Sequence, residues 1–307
     1  MTKKMVIKPA ICQKFQEFLK NERILFFSAP CGFGKTAVAQ ALLEGRRVWK
    51  LEGESARGAD LETKKDWDIL LMEDFQLFQE EEDQQALCAL IRRSPDKRFV
   101  ILSRGSPPGC LMAFQYAGFM TVIGPKDLLF DREDIRQLFD ASGLPVTDGE
   151  IAGILKESIG YPLGVAITAQ NMSSGARFSQ EIVGRSYQEV YRYFETAIYQ
   201  RLDLPYRRFL LELSPFESFN LEMARMVSGN AHAGEMLDWL QRNTSMLQYD
   251  GVLHFRFWEQ FRPFLLWEMG REYPPERKRA LMVRGGMYYE LKEDYPNALD
   301  CYIQGQE

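Results

Sequence analysis

A glycine-rich loop, Ala29-Pro30-Cys31-Gly32-Phe33-Gly34-Lys35-Thr36, stands between a β-prone run, Arg23 to Ser28, and a breaker-free run rich in Ala, Val and Leu, Thr36 to Leu43. A strand that turns through glycines into a helix aims successive backbone N–H groups, and the positive end of the helix, at one point. Such a cradle suits phosphate, with Lys35 for the outer phosphates and the Thr36 hydroxyl for magnesium. The spacing therefore predicts a nucleoside triphosphate, ATP or ADP with Mg2+, held along Pro30, Cys31, Gly32, Phe33, Gly34, Lys35, Thr36 and Ala37. The strict pattern has glycine where Ala29 stands, so the strand-before, helix-after context carries the reading.

The rest of the N-terminal third repeats that alternation. A helix, Pro9 to Leu19, precedes the first strand; Arg47 to Leu51, Ile69 to Met72, Arg98 to Ser103 and Phe119 to Ile123 read as further strands, with Glu80 to Arg93 and Gly109 to Ala117 as helices. Strands alternating with helices predict an α/β parallel sheet with right-handed crossovers. The apolar run at Ile69 stops abruptly at Glu73-Asp74. There Glu73 is the candidate for the magnesium shell and Asp74 for orienting or deprotonating the attacking water, although a metal role for Asp74 would leave no base. Arg104 follows its strand to the same carboxyl edge, a position for sensing the γ-phosphate. An acidic pair after a strand is more often a solvated turn, and only the upstream loop raises its weight.

From Pro125 the strand signals stop. Asp131 can cap a helix over Arg132 to Ala141, Thr147 with Glu150 forms a capping-box pattern, and Pro162 can start a helix over Leu163 to Asn171. After a polar joint, Ser173 to Ser179, helices are expected at Ile182 to Leu202, Tyr206 to Leu213, Leu221 to Val227 and Ala233 to Arg242. Met246 to Tyr249 and Val252 to Phe257 flank Asp250-Gly251, a two-residue hairpin signal, so helices plus hairpin predict a winged helix. Two helices, Glu276 to Glu290 and Asn297 to Ile303, follow. The expected units are 1–125, a nucleotide-binding domain; 126–175, a helical subdomain; 176–272, the winged helix; and 273–307, the beginning of a helical array.

Composition narrows the functional classes. The chain has 307 residues, a formal charge of −5 and 46% hydrophobic residues, so it offers polyanions no general attraction. Five scattered cysteines and two distant histidines suit neither a disulfide framework nor a zinc site. No run is long enough to span a membrane, and the protein is expected in the cytoplasm.

The motifs SAPCGFGKT (28–36), LLMEDF (70–75), LSRGSPP (102–108), GYPLG (160–164) and FRFWEQFRPFL (255–265) resemble those of the MalT-like, large ATP-binding LuxR-family transcriptional regulators, which belong to the STAND class of signal-transduction ATPases. The resemblance covers nearly the whole chain. It implies a P-loop NTPase sheet, a helical subdomain, a winged-helix domain and the start of a tetratricopeptide-like helical array. It also implies that Lys35 and Thr36 hold phosphates and magnesium, that Arg104 senses the γ-phosphate, that Pro162 packs against the adenine, and that the activity is slow ATP hydrolysis. In such switches ADP holds the module closed, while ATP with an inducer opens it for self-association. DNA would be bound only through a C-terminal module outside these residues.

The chain departs from that pattern at Glu73-Asp74, where Asp-Asp is usual, at Trp258, where a histidine is usual, at Lys8, where an arginine is common, and in a short Leu51 to Ile69 stretch. Two other functions compete: a nucleotide-bound scaffold with little hydrolysis, and a protein that binds DNA directly through the winged helix. The second suffers from Glu235 and Asp238 on the candidate recognition helix.

Overall fold

The computed structural model describes residues 6–62, 66–173, 176–244 and 246–306. Part of the polar stretch before Ile69 (63–65) and part of the joint after Ser173 (174–175) lie outside the described residues. The chain forms two compact units, Met1–Val190 and Tyr191–Glu307.

The first unit begins with α1 (Pro9–Asn21), β1 (Ile24–Ser28), α2 (Lys35–Leu42), β2 (Val48–Glu52), β3 (Ile69–Glu73), α3 (Glu81–Arg93), β4 (Arg98–Ser103), α4 (Gly109–Tyr116) and β5 (Met120–Ile123). The strands form one parallel sheet in the order β2-β3-β4-β1-β5. Ile24, Leu25, Phe26 and Phe27 of β1 are at most 1% exposed, the signature of a strand covered on both faces. Ile24 and Phe26 join Leu70, Met72, Phe99 and Ile101 in a core closed by Leu87, Leu90 and Ile91 of α3 and Leu111 of α4. Burying each such side chain contributes about 1.5–3 kcal/mol.

The strand order positions the site. The parallel register sets Ser28 of β1 beside Ser103 of β4, and Met72 of β3 beside Ile101 of β4. The loop after β1, the acidic end of β3 and the Arg104 segment after β4 thus leave the sheet at one level, with β4 in the middle.

The next helices are α5 (Pro125–Leu128), α6 (Arg132–Ala141), α7 (Asp148–Ser158) and α8 (Pro162–Ser173), followed by α9 (Gln180–Ala197). Asp131 caps α6 by accepting from the N–H groups of Glu133 and Asp134, while the Asp134 carboxylate accepts from Asp131 N–H. The Thr147–Glu150 capping box forms at α7. These helices enclose a separate core of Ile135, Phe139, Ile151, Ile154 and Val165. Lys8 ties the segment before α1 to them, with Nζ 3.2 Å from the buried Asp134 carboxylate and donating to the Leu129 carbonyl.

In the second unit α10 (Leu204–Leu213), β6 (Ser218–Phe219), α11 (Leu221–Ser228), α12 (Ala233–Thr244), β7 (Leu247–Tyr249) and β8 (Phe255–Phe257) build a winged helix with a three-stranded sheet ordered β6-β8-β7. Several sequence expectations change here. The Asp250-Gly251 pair is not a two-residue turn, because Leu247 pairs with Phe257 and Tyr249 with Phe255, leaving a five-residue loop. Asp250 organises that loop: its carboxylate accepts from the N–H groups of Val252, Leu253 and His254, which hold its pKa down to about 2. Strand β6 escaped notice because a two-residue strand leaves no periodicity. Helix α13 (Phe261–Glu272) escaped because its apolar and charged residues are mixed around the axis. The long helix expected over 182–202 ends at Ala197, and a 3-10 turn, Tyr199–Arg201, replaces its last turn. A helical hairpin, α14 (Pro275–Leu291) and α15 (Tyr295–Gln304), follows, with Ala298 and Cys301 buried.

Gly160 is the tightest backbone point between α7 and α8. Its φ is +71°, its carbonyl accepts from Phe130 N–H, and a Cβ there would collide with the Phe130 carbonyl. Gly160→Ala is expected to destabilise the first unit by at least about 2 kcal/mol in urea unfolding, since left-handed backbone alone costs an L-residue about 1–2 kcal/mol.

Candidate phosphate-binding site

Each of the first four carbonyls of the loop after β1 has a hydrogen-bond partner. Lys35 Nζ donates to the carbonyls of Ala29 (2.6 Å) and Pro30 (3.0 Å). The Tyr161 hydroxyl donates to the Cys31 carbonyl at 2.9 Å, and Leu163 N–H to the Gly32 carbonyl at 3.2 Å. Gly34 adopts φ +79° as the residue before α2, and its carbonyl accepts from Val38 N–H as the helix begins. With these carbonyls engaged and no side-chain cap on α2, the N-terminus of α2 is suited to an anion.

Gly32 has φ +80°, and a Cβ there would overlap the Tyr161 hydroxyl. The Phe33 and Tyr161 rings meet edge to face at 5.3 Å. Ala29, the departure from the strict pattern, is fully buried, bonds through its N–H to the Ser103 carbonyl and is not among the residues with positive φ. Glycine is not needed there.

The candidate residues fall into two groups. Pro30 through Lys35 form the loop, with Thr36 and Ala37 exposed on the first turn of α2. Pro162 is buried at the start of α8, between Tyr161 and Leu163, which both bond to the loop. At the neighbouring strand ends, Asp74 adopts left-handed backbone, φ 46°, a conformation an aspartate holds at some cost. Its carboxylate lies 3.4 Å from the Arg104 guanidinium. Gln76 joins the two segments, donating to Asp74 Oδ1 at 2.9 Å and accepting from Arg104 N–H at 2.9 Å. Glu73 differs: its Oε1 is buried and receives no hydrogen bond from the described residues. A hydrated cation or a water could supply that missing donor, so Glu73 fits a magnesium shell, which needs only one or two carboxylates beside phosphate and water.

Burial, with repulsion from Arg104, brings the Lys35 pKa down to about 8 against the opposing pull of Cys31 and Asp74. Sequence reasoning missed Gln76 and the Tyr161 and Leu163 contacts with the loop. Only the position of Gln76 two residues beyond the acidic pair, and of Tyr161 beside Pro162, hinted at them. A cleft of ≈ 900 Å3 lined by Leu221, Arg225, Asp238, Tyr249 and Phe255 belongs to the second unit and contains none of the candidate residues.

Known proteins resemble this chain in both units. A family model described as the MalT winged helix domain matches residues 195–277. The HTH-type transcriptional regulator MalT of Yersinia enterocolitica is 23% identical over 224 residues, and that of Vibrio campbellii 24% identical over 217. Each alignment covers 68% of this chain but 25% and 24% of the relative, so the chain spans about a quarter of the length of these regulators. A Walker-type ATPase of Pyrococcus abyssi is 12% identical, with a TM-score of 0.64 covering 86% of this chain and 97% of that one. A mutant form of RuvB from Thermotoga maritima is 14% identical, with a TM-score of 0.50 covering 88% and 97%. At such identities the structural likeness speaks for the fold alone. The fold is a P-loop NTPase sheet with helical regions and a MalT winged-helix domain, and the chain is similar to a MalT N-terminal region.

The lowered lysine has a thermodynamic consequence. Its folded pKa of about 8 lies below the ordinary 10.5, so the charged form is penalised by folding. That penalty is full below pH 8 and fades as the unfolded chain also loses its proton near pH 10.5. Measured as the difference from Lys35→Met, wild-type stability is expected to rise between those values by on the order of 3 kcal/mol, each pKa unit being worth about 1.4 kcal/mol. A difference that stays flat with pH would contradict the burial of the ammonium.

Proposed function

We propose that this MalT-like region is a nucleotide-dependent switch module of a transcriptional regulator, binding ATP or ADP with magnesium and hydrolysing ATP slowly. The observation that carries the reading is the double contact of Tyr161 and Leu163 with the carbonyls of Cys31 and Gly32. The segment that opens α8 is bonded to the backbone of the phosphate loop itself, so a ligand that reshapes the loop is felt at once in the helices behind it.

In this reading the N–H groups along Gly32 to Thr36 hold the phosphates. Lys35 exchanges its bonds to Ala29 and Pro30 for the outer phosphates, and a full positive charge on Nζ is then favoured by the anion. Thr36 and Glu73 hold magnesium, which when bound screens the phosphate charge. Asp74 serves the attacking water once Arg104 turns from it to the γ-phosphate, and Gln76 keeps Asp74 in place during that exchange. Pro162 presents a rigid apolar face to the adenine. A ligand shifts such a module only by its differential affinity for the two states, and here the difference lies in whether Arg104 bonds Asp74 or phosphate. DNA is the partner that the relatives' name, HTH-type transcriptional regulator, suggests, and an inducer, self-association and a C-terminal DNA-binding module are what the family resemblance implies. Direct DNA binding by α12 is disfavoured, because its outward face carries Glu235 and Asp238 against Arg242.

Calorimetric titration of ATP and ADP with magnesium tests the binding. Lys35→Ala is expected to weaken ATP at least tenfold, and unchanged affinity would refute the reading. Phosphate release separates a switch that turns over from a static nucleotide-bound scaffold: Asp74→Asn should slow it at least tenfold, and equal rates would favour the scaffold.

A further inference from the structure

We propose that Cys88 and Cys110 are a reversible dithiol–disulfide pair, a modification site for peroxide that staples α3 to the first turn of α4. Both cysteines are free thiols, Cys88 on α3 and Cys110 on the first turn of α4. The Cys88 thiol donates to the Cys110 carbonyl at 3.5 Å, which sets its sulfur against the first turn of α4 beside the Cys110 side chain. The helices already run in register around them. One turn before Cys88, the Gln84 side-chain oxygen accepts from the Cys110 thiol at 3.7 Å; one turn after it, the Arg92 guanidinium lies 5.7 Å from the centre of the Phe114 ring. With the Cys88 sulfur already against the Cys110 backbone, a disulfide needs the two sulfurs to close to bonding distance, about 2.05 Å.

The environments of the two sulfurs divide the chemistry. Cys110 is partly exposed, and its sulfur sits at the start of α4. The neighbouring Cys88 thiol, the N–H groups of Cys110 and Leu111 and the nearby Arg92 hold its pKa below the ordinary thiol value against burial. Cys88 is 3% exposed, and both the bond to Cys110 and burial push its thiol up. Cys110 is therefore the attacking thiolate and Cys88 the resolving thiol. The Cys110 thiolate attacks one oxygen of hydrogen peroxide, the O–O bond breaks, and hydroxide leaves, taking up the thiol proton as water and giving a sulfenic acid. The Cys88 sulfur then attacks the sulfenic sulfur, the S–O bond breaks, and a second water leaves. Two thiols are oxidised by two electrons and one peroxide is reduced to two waters. A dithiol reductant reverses the step by exchange.

Treating the full chain with hydrogen peroxide at pH 7 and mapping its peptides without reduction tests the assignment. The expected results are loss of two thiols per chain, a Cys88–Cys110 linked peptide, recovery with dithiothreitol, and a melting temperature several degrees higher in the oxidised form. Cys88→Ser should leave Cys110 as a sulfenic acid trapped by dimedone, and Cys110→Ser should slow oxidation at Cys88 at least tenfold. Cys88→Ala serves the same purpose if the serine hydroxyl unsettles the core. Links to other cysteines, or over-oxidation of Cys110 in the wild type while Cys88 stays reduced, would overturn the pair.

Discussion

The hydrogen bonds that occupy the carbonyls of Ala29, Pro30, Cys31 and Gly32 are what the site depends on. A peptide group has two ends, and a loop can aim its N–H groups at one point only if its carbonyls are satisfied elsewhere. Lys35 answers two of them from within the loop, and Tyr161 and Leu163 answer the other two from the start of α8. The shape of the loop is thus shared between the sheet and a helical segment some 130 residues further along. The collision that any side chain at Gly32 would make with Tyr161 follows from the same closeness.

The electrostatics of the strand ends are arranged around that loop. Lys35 rests on carbonyls, its burial lowers its hold on its proton, and Arg104 faces Asp74. The bonds of Lys35 are to neutral carbonyls, which are weaker than charge-assisted bonds to an anion, whereas Arg104 faces the Asp74 carboxylate. Gln76 joins both segments, donating to the Asp74 carboxylate and accepting from the Arg104 N–H. The Glu73 Oε1 beside them is buried without a hydrogen-bond partner among the described residues.

How much of this was legible depended on how local the cause was. The parallel sheet, its five strands, and the caps at Asp131 and Thr147 were legible because each is set by neighbours within a few residues: apolar runs of strand length, and side chains that bond N–H groups three positions on. The glycine loop was legible for the same reason. The wing was read only in outline, because Asp250-Gly251 looks like a tight turn until the cross-strand pairing of Phe255 shows that three more residues belong to the loop. Strand β6 exists only because β8 pairs with it, and no pattern within two residues could announce that. Ala29 looked like a flaw when compared with a consensus and is none, since its backbone conformation is open to any residue.

By itself the sequence determined that a strand, a glycine turn and a helix come together with a lysine and a hydroxyl at the helix start, and that two carboxylates and an arginine end later strands. Local propensity and hydrophobic period are enough for that. Which of these meet was decided only by the tertiary structure. The insertion of β4 between β1 and β3 brings Arg104 to Asp74, and the docking of Tyr161 and Leu163 completes the loop. Strand order and helix docking are fixed by burial of whole faces against one another, a property of the assembled core that no short stretch of sequence contains.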